Sequence, residues 1–141
     1  MATLSLFVTE CQLASIRQFI AREGGELGLD ESAIYDLQLA VDEACANSVE
    51  HGYGGEGGKI EISIEPTNDG VQVIVRDWGH VFDPAAVSSP NVSAPLEQRP
   101  LGGLGLFLMQ QVMDEVRFEF DAEKGNTLTM VKQRRRKETQ A

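Results

Sequence analysis

Basic residues are scarce in this chain: twelve Lys and Arg stand against 22 Asp and Glu, a formal net charge of −10. A surface of that sign is repelled by a phosphate backbone, which argues against direct nucleic-acid binding. No apolar run is long enough to span a membrane, so no membrane association is expected. The start, MATLSLFVTE, lacks the basic residues that open a signal peptide. Cysteine is limited to Cys11 and Cys45, whose spacing fits no metal-ligand pattern; with no export signal, reduced thiols in a cytoplasmic setting are the expectation. The common phosphate signatures are missing as well. There is no GxxxxGK[ST], and no GxGxxG fingerprint, because the last glycine is absent and the order of elements is wrong. Internal repeats and a domain linker are also lacking. The 141 residues, 42% hydrophobic and 24% charged, suit one globular domain with a real core.

The few basic residues are uneven. Lys132, Arg134, Arg135, Arg136 and Lys137 cluster near the C-terminus. They read as a solvated tail over residues 134–141, after a single domain over 1–133; a docking tail for an acidic partner is the alternative.

The chain is organised around residues 36–53, DLQLAVDEACANSVEHGY. Leu37, Ala40, Val41, Ala44 and Ser48 recur at helical spacing and form a stripe to be buried. Glu43 and Asn47 are one helical turn apart on an edge of that stripe. The first can take a proton and the second offers an uncharged oxygen to a hard cation. An amphipathic helix with solvated polar flanks is the plainer reading.

Around this helix the periodicity predicts a short strand over 4–9 and a helix over 11–27 that carries Leu13, Ile16, Phe19 and Ile20 on one face. Gly24, Gly25 and Gly28 are expected to end it, and Asp30 to cap the next helix. Gly52, Gly54, Gly55, Gly57 and Gly58 make a turn. Residues 59–65, KIEISIE, alternate strictly, with Ile60, Ile62 and Ile64 on one side. Thr67-Asn68-Asp69-Gly70 is a hairpin turn, and 71–77 is the return strand with Val71, Val73 and Val75 inward. Counting on by two sets Asp77 on the same inward face, where a carboxylate needs partners. Residues 79–101 lose all period and suit a lid or binding loop. Residues 102–111, GGLGLFLMQQ, run glycines into an apolar helix with Leu106, Met109, Gln110 and Met113 spaced for packing. A second hairpin follows, 116–121 with Val116, Phe118 and Phe120 inward, then 127–131. Paired hairpins and three helices predict a two-layer α+β sandwich: a mostly antiparallel sheet, with some mixed pairing allowed, and the helices on one face.

Three features converge on one site: Glu43 with Asn47, Asp77 before Gly79, and Gly102, Gly103 and Gly105 opening a helix. The helix N-terminus offers backbone N–H groups to an anion. The strand-end carboxylate can accept from an exocyclic amine such as that of adenine, and Asn47 can complete a magnesium shell. Simpler roles stand beside these: Asp77 capping a turn, the glycines packing helix on sheet, and His51, His80, Trp78 and Cys45 serving as structural, solvated or wall residues.

At these residues the chain resembles a known family. EACAN with VEHGY resembles the N-box of the GHKL ATPase superfamily, DWGHVFDP its G1 box, and GGLGLFLMQQVMDEV its G2 box. The order of boxes over about residues 4–133, with the closing GNTLTMVK, is similar to the anti-sigma-factor serine/threonine kinases. The resemblance implies a Bergerat-type ATP-binding fold with ATP and Mg2+ as cofactors. It implies that Asn47 binds Mg2+, that Glu43 is the general base, that Asp77 reads the adenine amine with Gly79 beside it, and that Gly103, Gly105 and Leu106 cradle phosphates. Partners implied are an anti-anti-sigma protein of the STAS type as substrate, a sigma factor, and a second copy in a homodimer. Two departures bear on the site. His80 and Val81 stand where a second G1 glycine is often found. Asn126 stands where the closing strand often has threonine, with Thr127 next, leaving open which of the two touches adenine. Arg99 is a candidate phosphate contact. A binding module that holds ATP without reacting, and a sensor-kinase ATP domain acting on histidine, are the rival functions.

Overall fold

The computed structural model describes residues 1–8, 13–54, 56–79, 103–121, 123 and 125–134. Cys11, Gly55, His80, Val81, Arg99, Gly102, Arg135, Arg136 and Lys137, named above, lie outside them, as does most of the expected lid.

The described chain runs β1 (Ala2–Val8), α1 (Leu13–Glu26), α2 (Glu31–Asn47), a π-helical turn (Ser48–Gly52), β2 (Gly58–Pro66), β3 (Gly70–Asp77), α3 (Gly103–Val112), β4 (Glu115–Asp121) and β5 (Gly125–Gln133). The five strands form one sheet in the order β1-β2-β3-β5-β4. Every pairing is antiparallel, which bears out the expected mostly antiparallel α+β sandwich. Both hairpins form, but β5 inserts between β3 and β4, so the second hairpin joins the first through its later strand.

The pairing register lines residues up in rows across the inner face. One row is Ala2, Ile64, Val73, Met130 and Val116; the next is Leu4, Ile62, Val75, Leu128 and Phe118. The helices supply Ile16, Phe19 and Ile20 from α1, Leu37, Ala40, Val41 and Ala44 from α2, and Met109 from α3, all buried with the inner-face strand residues in one core. Each fully buried aliphatic side chain contributes about 1.5–3 kcal/mol, and this is what holds the helices to one face. The outer face is polar, with a row of Ser5, Glu61, Arg76, Thr127 and Glu119.

Several boundaries differ from the sequence reading. Gly24 and Gly25 lie inside α1; the terminator is Gly28, at φ +86°, a backbone conformation only glycine takes readily. Asp30 does cap α2, accepting from Ala33 N–H at 2.8 Å. Gln110 is exposed rather than packed, and Phe120 remains 36% exposed because β4 is an edge strand. Lys132 does not belong to a solvated tail. It sits in β5, and its Nζ donates to Asp36 Oδ2 at 3.0 Å and to Val112 O at 2.7 Å. One cation thereby ties β5 to α2 and to the last carbonyl of α3. No helix among the described residues is long and apolar enough to cross a membrane.

Candidate functional site

The third inner-face row reads Leu6, Ile60, Asp77, Asn126 and Phe120. It is the row where the apolar pattern breaks, and the break is paired: Asp77 of β3 stands opposite Asn126 of β5. Asn126 Nδ2 donates to Asp77 Oδ1 at 2.9 Å and to Gly79 O at 3.1 Å. Gly79 N–H also donates to Asp77 Oδ1, at 3.0 Å. Ser48 Oγ donates to Asp77 Oδ2 at 2.7 Å. These donors offset the cost of placing a carboxylate at the edge of a core. The Gly79 bond is also the turn-capping role foreseen as the simpler reading of Asp77. With two donors on Oδ1 and one on Oδ2, the carboxylate keeps capacity to accept another N–H.

Ser48 reaches Asp77 because α2 changes pitch. Its backbone N–H is shared between Ala44 O and Cys45 O, and Tyr53 N–H bonds Ser48 O at 2.9 Å, closing a five-residue π turn. Such widened turns occur often at functional sites. The widening leaves Asn47, Ser48 and Gly52 all on the cleft beside Asp77.

That cleft is tight, a cavity of about 30 Å3. Ala44, Val75, Phe118, Phe120 and Leu128 give it apolar walls, and Asn47, Ser48, Gly52, Asp77, Asn126 and Thr127 complete the lining. Apolar walls with a few convergent polar groups are the pattern of a small-molecule site, and a carboxylate with spare acceptor capacity between them suits a flat ring bearing an amine.

Asn47 is buried, at 8% exposure, and its Nδ2 has no hydrogen-bond partner among the described residues. A buried carboxamide left so is costly, and a ligand at the cleft would complete it. The unpartnered atom is an N–H donor, which suits an acceptor oxygen such as a nucleotide carries; the oxygen of the same carboxamide is the atom that would hold a hard cation beside the nucleotide's own oxygens. No cluster of three or more His, Cys, Asp or Glu among the described residues could hold a metal by itself. Glu43, one turn before Asn47, is half-buried. Burial raises its carboxyl above the ordinary glutamate range, and the neighbouring Asp42 and Glu50 charges add to the rise. Cys45 is buried behind the site, where burial pushes its thiol up to about 12 and leaves it an inert packing residue.

The structure thus brings Asn47, Asp77, Asn126 and Thr127 to one cleft, with Gly79 bonded to its floor. Asn126 and Thr127 are not equivalent. Asn126 faces Asp77, whereas the Thr127 hydroxyl lies on the outer face and accepts from Arg76 Nε at 3.4 Å. Glycine is needed at 79 because a Cβ would overlap the Gly52 backbone. Glu43 and Leu106 are not part of the cleft lining; Leu106 packs against the core. Gly103 is the first residue of α3, which sets Gly105 in its first turn. The sequence reading missed Ser48 as a partner of Asp77 and the two phenylalanines as walls. Ser48 had a signal, as a hydroxyl within an apolar stripe; the phenylalanines had none beyond facing inward.

Residues 8–132 match the histidine kinase-like ATPase domain family. The serine-protein kinase RsbW of Bacillus cereus (strain Q1) is 33% identical over 124 residues, covering 85% of this chain and 76% of that one. Its namesake in Bacillus pumilus is 36% identical over 124 residues, with 83% and 75% covered. The Halalkalibacterium halodurans RsbW is 36% identical over 121 residues, with 83% and 73% covered. In fold, the chain is similar to the crystal structure of the RsbU and RsbW domains of a Mycobacterium tuberculosis protein, with a TM-score of 0.63 at 23% identity. That match covers 94% of this chain but only 32% of the larger one. From its matched length and its relatives, the chain belongs to the histidine kinase-like ATPase domain family, in the group of the RsbW serine-protein kinases.

Proposed function

We propose that this chain is an ATP- and Mg2+-dependent serine/threonine protein kinase of the anti-sigma-factor type. It phosphorylates a serine or threonine on an anti-anti-sigma partner of the STAS type and sequesters a sigma factor. One observation carries the reading: a carboxylate fixed by donors from Ser48, Gly79 and Asn126 stands in an apolar cleft beside a buried carboxamide whose Nδ2 has no partner among the described residues. The similarity to proteins named serine-protein kinase supports the choice of a protein hydroxyl as acceptor.

In this proposal Asp77 accepts the adenine amine, and Asn126 rather than Thr127 holds Asp77 against the base, with Gly79 closing the floor. Asn47 gives its carboxamide oxygen to Mg2+. Gly103, Gly105 and Leu106 direct the backbone N–H groups of the first turn of α3 at phosphate oxygens. When bound, ATP supplies the phosphoryl group and Mg2+ neutralises its charge. Glu43 takes the proton of the attacking hydroxyl, a role for which a raised carboxyl pKa is suited. Positioning and charge neutralisation then provide most of the rate. The proposal also includes a homodimer, a cytoplasmic setting, a kinase domain over residues 1–133 and a basic tail over 134–141.

Titration calorimetry with ATP, with and without Mg2+, tests the site on wild type, Asp77→Asn and Asn47→Ala. Tight binding weakened in Asp77→Asn, and stripped of its magnesium dependence in Asn47→Ala, is expected. Wild type that does not bind ATP would overturn the reading. ADP production by wild type but not by Glu43→Ala separates a kinase from a module that only holds nucleotide.

A further inference from the structure

Tyr53 directly follows the π-helical turn. Its hydroxyl donates to Lys59 O at 2.7 Å and accepts from Trp78 N–H at 2.8 Å. In the β2–β3 ladder Ile60 stands opposite Asp77, so the next step sets Lys59 opposite Trp78. The hairpin turn, where Thr67 N–H bonds Gly70 O at 2.9 Å, makes that step a hydrogen-bonded position by strict alternation. The Tyr53 hydroxyl therefore stands in for the ladder bond that Trp78 N–H and Lys59 O would otherwise make. One inserted oxygen sets the two chains apart and lets β3 end at Asp77.

The ring has a prepared seat. A Cβ on Gly58 would lie 2.5 Å from Tyr53 Cε1 and Cζ, so glycine at 58 is what allows the ring to lie against the strand. Outside, Lys59 Nζ sits 5.0 Å from the Trp78 ring centroid and ties the same two residues a second time. Tyr53 does not line the cleft around Asp77. Its hydroxyl reaches that cleft through the peptide that leaves Asp77, and its backbone N–H through Ser48 O.

We propose that Tyr53 is a positioning residue of the nucleotide site, an inference that rests on the nucleotide reading above. Ser48 and Asn126 hold the Asp77 carboxylate, and the Tyr53 hydroxyl holds the backbone that follows it. Without the hydroxyl, Trp78 N–H is free to pair directly with Lys59 O. That pairing lengthens β3 by a residue and turns the Asp77–Gly79 segment out of register with the base. The loss falls on base recognition and leaves Glu43 and Asn47 on α2 undisturbed.

Tyr53→Phe keeps the ring on Gly58 and removes only the hydroxyl. Calorimetry should show ATP and adenosine both bound about fivefold more weakly, the size of one neutral hydrogen bond. The kcat of ADP production should be unchanged, and the double variant with Asp77→Asn should bind no more weakly than Asp77→Asn alone. Gly58→Ala, which unseats the ring by a separate route, should repeat the loss for adenosine. Adenosine binding unchanged in Tyr53→Phe, or losses that add in the double variant, would overturn the assignment. Wild type that fails to bind any nucleotide would instead sink the underlying nucleotide reading.

Discussion

Asp77 and Asn126 face each other on neighbouring strands, joined by a 2.9 Å hydrogen bond from Asn126 Nδ2 to Asp77 Oδ1. The pair belongs to a row whose other members are Leu6, Ile60 and Phe120. A polar pair in an apolar row is held at a cost in stability, and here it lines the cleft.

Asp77→Asn keeps the shape and removes the charge. Three donors, from Ser48, Gly79 and Asn126, would then meet an amide that must present its own N–H to one of them. ATP affinity should fall about ten- to a hundredfold, since hydrogen bonds to a charged group are worth about 1.5–3 kcal/mol. Calorimetry reads this directly; unchanged affinity would remove Asp77 from the site.

Glu43 gives a pH signature. Its folded-state pKa is raised, by burial first and by Asp42 and Glu50 next. The fold therefore favours the protonated form: the stabilisation is full below the unfolded-state pKa and is lost as pH rises through the folded value. Activity runs the other way, because a base must be ionised. Phosphotransfer should climb with pH through a midpoint above the ordinary glutamate range and then level off. Glu43→Gln should lower kcat by about 10²–10⁴ while sparing ATP affinity, and should melt higher than wild type in alkaline buffer. A wild-type rate with no acid limb in that range would count against the assignment.

Gly79→Ala should destabilise by about 1–3 kcal/mol, because its Cβ is driven into the Gly52 backbone, which cannot move aside as a flexible side chain could. Denaturant melts measure it. The same variant should weaken ATP binding, since Gly79 also donates to Asp77. A melt equal to wild type would show that the strand end and the π turn are not so closely pressed.

Lys132→Met retains the aliphatic stem and removes the ammonium that bridges Asp36 and Val112 O. A loss of about 1–2 kcal/mol is expected for a partly buried charge pair that also closes a helix end. Thermal melts should show a drop of a few degrees, shrinking in high salt. A drop untouched by salt would assign the effect to packing instead.

Much of this was legible in the residues. The alternation KIEISIE, the Thr67–Gly70 turn and the stripe on α2 each act within a few residues, so local sterics and solvent decide them. Asp77 was legible as an inward carboxylate by counting along its strand. The glycine-terminated end of α1 was misjudged because Gly24 packs in the buried helix interior, where tertiary contacts with Leu29 and Ile34 outweigh its poor propensity. The π turn was invisible, since no residue type commands it.

The sequence alone determined the elements, their faces and the presence of a carboxylate, a carboxamide and a glycine-led helix. The closing strand was expected to begin at Thr127; the structure starts β5 at Gly125, and this brings Asn126 into the sheet on the face opposite to Thr127. Which side is the cleft was decided only when β5 paired with β3 rather than ending the sheet beyond β4. That pairing sets Asn126 against Asp77 and turns Thr127 out toward Arg76. The reason is physical: strand order joins residues about fifty apart in the chain, and it is selected by burial of the whole inner face against three helices, a sum no local stretch contains.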